Sequence, residues 1–154
     1  MKDEQKILTG AAAKKAADAI ALVEASLSYI KPYDSEKSYT PREREPYDAL
    51  SDRFSRAVEV SIKFFKSYEK FIYGENSETL RDLLNRMEKL GFIDSVLTWM
   101  NMKDVRNRIV HEYLPEEIKA IYDSIFTPFG NQLRKVKKKI EILSFEPDEE
   151  ESTR

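Results

Sequence analysis

The chain contains no cysteine, which excludes disulfide bonds and thiolate-bound metals and makes a reducing compartment the simplest setting. With a single histidine, a zinc site has almost no ligands to draw on. Glycine is scarce, at four residues in 154, and no glycine-rich loop is present to cradle a phosphate. No nucleophile motif accompanies the histidine, which sets aside a Ser-His-Asp hydrolase. Long hydrophobic runs are missing too: the apolar part of the N-terminal segment, Ala16 to Ile30, contains Asp18 and Glu24 and follows Lys14 and Lys15. That stretch is too charged and too short for a bilayer span or a secretory signal. The expectation is a cytoplasmic protein with no metal, no cofactor and no membrane contact. An excess of positive charge is also absent, since 26 Lys and Arg face 28 Asp and Glu for a net charge of −2. A protein that coats nucleic acid through bulk charge is thereby excluded, and any RNA contact must be local.

What the chain does have is helix-forming composition, dominated by Ala, Leu, Glu, Lys and Arg. A first helix is predicted from near Lys2 to Lys31, with Ile20, Val23, Leu27 and Ile30 as its apolar face and Pro32 as its stop. The polar stretch 32–46, with Pro32, Pro41 and Pro46, reads as a mobile loop with room to cover a site. A second helix is predicted over Tyr47–Tyr73, ended by Gly74, and a third is capped by Ser77 and closed by Gly91. Asp94 or Ser95 is positioned to cap a fourth that reaches Glu112, and a fifth begins at Pro115, kinked near Pro128 and Gly130. The acidic stretch 146–154 lacks apolar residues and reads as a disordered tail. One domain over 1–145 is expected, an all-α up-and-down bundle of four or five antiparallel helices.

The fourth helix is the one that carries chemistry. At roughly 100° per residue, Thr98, Met102, Val105 and Ile109 form one stripe. Ile93, Val96, Met100, Asn107 and His111 form another on the far side, flanked by Val110. A helix apolar on two sides calls for a partner on the second, and a two-fold homodimer is the commonest solution. His111 is the lone histidine, the side chain best able to take and give a proton near neutrality. A lone histidine is also what a surface or hydrogen-bonded structural residue looks like. Asn107 lies one turn before it on the same face, and Arg106 and Arg108 bring forked donors suited to phosphate. Arg108 reads equally as a solvated helix edge. Arg106 diverges from His111 by roughly 140° around the helix.

Arg106, four residues, His111, one residue and Tyr113 make an R-x-x-x-x-H-x-Y pattern that resembles the HEPN superfamily, in the form seen in HepT-like toxins. The resemblance spans roughly Leu8 to Leu143, with 32–46 aligned least well, and Asp52, Arg53 and Glu59 match the family's polar pattern only loosely. It implies a metal-independent RNA endonuclease whose site forms between two chains. His111 would act there as general acid or base, Arg106 would stabilise charge on the phosphate, Asn107 would assist positioning and Arg108 would contact RNA. It further implies a toxin-antitoxin system in which an MntA-like nucleotidyltransferase antitoxin silences the protein by AMPylating Tyr113, a residue that reads equally as a half-buried aromatic closing the bundle. The alternative is a non-catalytic HEPN subunit that presents substrate to a nucleotidyltransferase. A basic run, Arg134, Lys135, Lys137, Lys138 and Lys139, is either a phosphate contact or a solvated face.

Overall fold

Helix α1 (Lys2–Tyr29) turns a narrow stripe of mostly small residues inward, Thr9, Ala13, Ala16, Ile20 and Val23, at three- and four-residue steps. Small side chains there let the second helix lie close along its length. Thr9 ties the pair together by donating to the Ser67 carbonyl, at 3.1 Å. The computed structural model describes residues 2–145, so the acidic stretch expected to be disordered lies outside the described residues. Among the described residues there is no strand, and no helix is long and apolar enough to cross a membrane. The all-helical bundle expected from the sequence is what the described residues form, in six α-helices with a π-helical turn between the last two.

Helix α2 runs over Pro41–Tyr73, six residues earlier than the sequence pattern predicts. Thr40 is the reason. Its side chain accepts from the Glu43 amide at 3.1 Å while the Glu43 carboxylate accepts from the Thr40 amide at 3.2 Å, a reciprocal capping box. Pro41 then occupies the first helical position, where its missing N–H costs nothing. The loop is therefore only about ten residues long, and it is docked rather than loose. Tyr33 stacks on Tyr39 at 4.8 Å, and both pack against Tyr47. Tyr33 also stacks on Tyr122 at 5.5 Å, and Tyr47 donates its hydroxyl to the Lys31 carbonyl at 2.7 Å. The loop residues do not line the cavities between α2, α3 and α4.

The capping box carries a measurable consequence. Lys37, then the Thr40 backbone and side chain, holds the Glu43 carboxyl at about 2, below its ordinary range. A lowered carboxylate contributes stability that is present above the unfolded value of ~4.3 and fades as pH falls toward about 2. Thr40→Ala is expected to lose about 1 kcal/mol in urea unfolding at neutral pH and to flatten that acid limb. A variant as stable as the parent would show that the cap contributes nothing.

Helix α3 (Leu80–Lys89) is capped by Thr79, which accepts from the Asp82 amide at 3.1 Å, and not by Ser77 as the sequence suggests. Ser77 is engaged elsewhere. Its amide donates at 2.6 Å, and its hydroxyl also donates, to the carboxylate of Glu69, which is buried. Arg86 completes the clamp at 3.2 Å from Glu69 and 2.8 Å from Glu75, its guanidinium over the Tyr73 ring. Gly74 and Gly91 end α2 and α3 at φ of 73° and 83°, the left-handed conformation that favours glycine. After α3, Gly91 donates to the Glu88 carbonyl and Phe92 to that of Met87, the paired bonds of a Schellman stop.

Helix α4 (Val96–His111) begins at Ser95, whose side chain accepts from the Thr98 amide. It packs on α2 and α3 through Trp99, Met102 and Val105, all buried. Trp99 meets Phe65 at 5.1 Å and donates its ring N–H to Gln132 at 3.2 Å. Gln132 in turn holds Asp94 by two bonds, fastening the start of α4 to the last helix. Helix α5 (Pro115–Ser124) and helix α6 (Gly130–Glu141) are separated by the expected kink over 125–129, where Thr127 is extended at φ −157°. A Cβ at Gly130 would sit 2.8 Å from the Ile125 carbonyl, so only glycine lets the chain close up there.

Candidate functional site

The α4 helix does not present its second stripe as the sequence layout suggests. Ile93 precedes the helix and is buried in the chain's own core, and Val96 and Met100 pack against that core. Thr98 is only half-buried, while Trp99 takes the deep position. Two-sided burial is the premise for expecting a homodimer, and the bundle itself buries Ile93 and half-buries Val96 and Met100, leaving Val110 on the flank exposed. Exposed on the outer side are Asn107, Arg108 and His111, with Leu97, while Val110 is exposed at the edge of the groove beside Arg106.

The motif residues separate as the helical geometry requires. Arg106 projects toward α2 and lines two adjoining cavities in the groove between the helices. His111 lies outside the two cavities that Arg106 lines and sits exposed in the last turn of α4, where both it and Arg108 suit the negative end of the helix dipole. Asn107 is exposed one turn earlier, its amide 3.5 Å from the Asp104 carboxylate, too long for a firm bond. Tyr113 lies just past the helix and is 85% exposed, so it does not close the bundle. Its backbone amide and that of Leu114 both donate to the Glu112 carboxylate at 3.1 Å, which fixes the turn into α5. Among the described residues of one chain, no hydrogen bond or ion pair engages the His111 ring.

The groove beside Arg106 is the better-formed feature. Its central cavity encloses about 310 Å³ and is lined by Lys63 and Lys66 from α2, Lys103 and Arg106 from α4, and Glu59, over a floor of Val58 and Ile62. Toward the C-terminal end of α4 the groove continues past Asp48, Asp52 and Ile109. Toward α3 it continues past Ser77, Glu78 and Leu83. Sequence reasoning singled out Arg106 but missed the lysines, because they come from two helices that only the fold brings together. The available signal was a pair of cations at i,i+3 on each helix, Lys63 with Lys66 and Lys103 with Arg106. Among the described residues, no group of three or more His, Asp and Glu side chains is placed to hold a metal ion.

The basic run on α6 is largely spoken for. Lys137 lies 2.7 Å from Glu24, Arg134 sits 4.0 Å from the same carboxylate, and Lys135 pairs with Asp94. Lys139 lies over the Phe92 ring. That leaves it as a packed and partly neutralised helix face.

No curated protein matches the chain. A family model, that of nucleotidyltransferase substrate binding protein-like proteins, matches residues 15–142, from the first half of α1 through the end of α6. The matched region takes in the whole of the α2–α4 groove and the Arg106-to-Tyr113 run. The chain therefore belongs to the nucleotidyltransferase substrate binding protein-like family, a HEPN-type family.

Proposed function

We propose that the chain is an accessory subunit that binds a substrate in the α2–α4 groove and presents it to a separate nucleotidyltransferase. The observation that carries this reading is the division of the motif. Arg106 borders a ligand-sized cavity, whereas His111 stands exposed and apart from it. A binding subunit needs the first of these and not an assembled acid–base pair. The family to which the chain belongs supports the same role.

A second reading is favoured by the intact pattern of Arg106, His111 and Tyr113, all exposed. In it the chain is a HepT-like toxin, a metal-independent endoribonuclease in which two copies pair and bring His111 of one chain to Arg106 of the other. Asn107 would position the scissile phosphate and Arg108 would hold flanking RNA. Exposed Tyr113 would be the residue that an MntA-like nucleotidyltransferase AMPylates.

One assay separates the two. Purified protein is incubated with total RNA in EDTA beside His111→Ala, with far-UV circular dichroism to confirm that both are folded. The accessory role predicts no cleavage by either, and a nucleotidyltransferase identified by mass spectrometry in the native complex. Cleavage by the parent that His111→Ala abolishes would overturn that role and establish the ribonuclease.

A further inference from the structure

We infer that the α2–α4 groove binds a compact phosphate-bearing molecule through Lys63, Lys66, Lys103 and Arg106, an inference that rests on the accessory reading only in calling that molecule a substrate. The chain as a whole carries a net charge of −2, yet its central groove gathers four cations against one carboxylate. Only Lys63 has a partner there, Glu59, at a loose 3.9 Å. Among the described residues, Lys66, Lys103 and Arg106 form no ion pair. Other cations of this protein are neutralised by nearby acids, as Arg86, Lys119 and Lys137 show. Like charges gathered on facing helices repel, and an anion between them relieves that repulsion. Ser55, a small residue, lines the groove on both sides of Arg106 and keeps the space between the cations open.

The shape and the ends of the groove choose the ligand's class. A cavity of about 310 Å³ is at the small end of what a single small molecule fills. Val58 and Ile62 form an apolar floor between the lysines, suited to a flat or hydrocarbon portion. Acids stand at either end, Asp48 at one, beside an Asp52 already paired with Arg56 at 2.9 Å, and Glu78 at the other. A polynucleotide running the length of the groove would drive its phosphates past those carboxylates. A molecule with its phosphate at the centre avoids both.

The test is calorimetric titration of the full chain at low salt with inorganic tripolyphosphate and with a single-stranded oligoribonucleotide. Lys66→Gln/Lys103→Gln removes two groove cations at exposed positions, and Lys2→Gln/Lys14→Gln removes the same charge from exposed positions on α1 that share no cleft with the groove cations. Tripolyphosphate is expected to bind the parent, to lose at least about tenfold in affinity in the groove variant, and to be unchanged within about twofold in the α1 variant. Equal weakening in both variants would mean bulk attraction and overturn the inference. So would absence of tripolyphosphate binding, or a groove-dependent preference for the oligoribonucleotide. The outcome is separable from that of the accessory role. A chain that copurifies with a nucleotidyltransferase but binds no phosphate refutes only the ligand class, and a phosphate-binding chain that cleaves RNA through His111 refutes only the accessory role.

Discussion

Trp99→Ala is expected to lower the free energy of unfolding by about 3–5 kcal/mol, the range for truncating a fully buried large aromatic. The indole is wholly buried, packed edge-on against Phe65, and bonded through its ring nitrogen to Gln132. Truncation opens a cavity between α2, α4 and α6. It also removes one of the two donors to the Gln132 oxygen, leaving only the Asp94 amide. Since Trp99 is the only tryptophan, parent and variant should both be followed by far-UV circular dichroism in urea and not by fluorescence. A loss under about 1 kcal/mol would mean that the core collapses around the gap, contrary to close packing. Because the same side chain seats the helix that bears Arg106 and Lys103, hydrogen exchange along α4 should quicken in the variant even where it remains folded.

The second large effect falls one turn further along the same face of α2, near its C-terminal end. Arg86→Met is expected to cost about 3 kcal/mol, because it strands the Glu69 carboxylate in the interior with only the Ser77 amide and hydroxyl for partners. The lower end of the usual range for breaking a buried pair applies, as the arginine side chain is 29% exposed. Adding Glu69→Met to Arg86→Met should restore much of the loss, since removing both members of a buried pair costs far less than removing one. Chemical denaturation of the single and double variants decides it. If the double variant is no more stable than Arg86→Met, the clamp matters through packing on Tyr73 and not through charge.

Helix existence was readable from spacing of apolar residues, but two helix starts were misplaced, each for its own reason. Thr40-Pro41-Arg42-Glu43 carries the full capping signature, and three prolines in fifteen residues obscured it. Pro41 initiates the helix, and Pro46 is tolerated inside it. At 77–79 two hydroxyl residues compete for one cap, and the winner is decided by Glu69, a buried acid eight residues before Ser77 and on another helix. No local pattern contains that information. The divergence of Arg106 and His111 was legible from helical geometry alone, and the fold gives it content by placing a cavity under one residue and solvent around the other. Ile93 misled the helix layout because it belongs to the turn before α4 and not to the helix, so its angular position had no meaning. Lys63 and Lys66 sit in α2, forty residues from the motif, and their relation to it exists only after the helices pack.

The docked loop between α1 and α2 also equips the protein with its own optical reporter. Four tyrosine rings, from Tyr33, Tyr39, Tyr47 and Tyr122, lie with neighbouring centroids 4.8 to 5.5 Å apart and join the loop, α2 and α5. Transition dipoles that close and that fixed in orientation couple, so the tyrosine region of the near-ultraviolet dichroism spectrum records whether the loop is seated. With half of the eight tyrosines in this cluster, the signal is not lost among scattered rings. Undocking caused by a partner protein or a mutation is thus readable without any label attached to the chain.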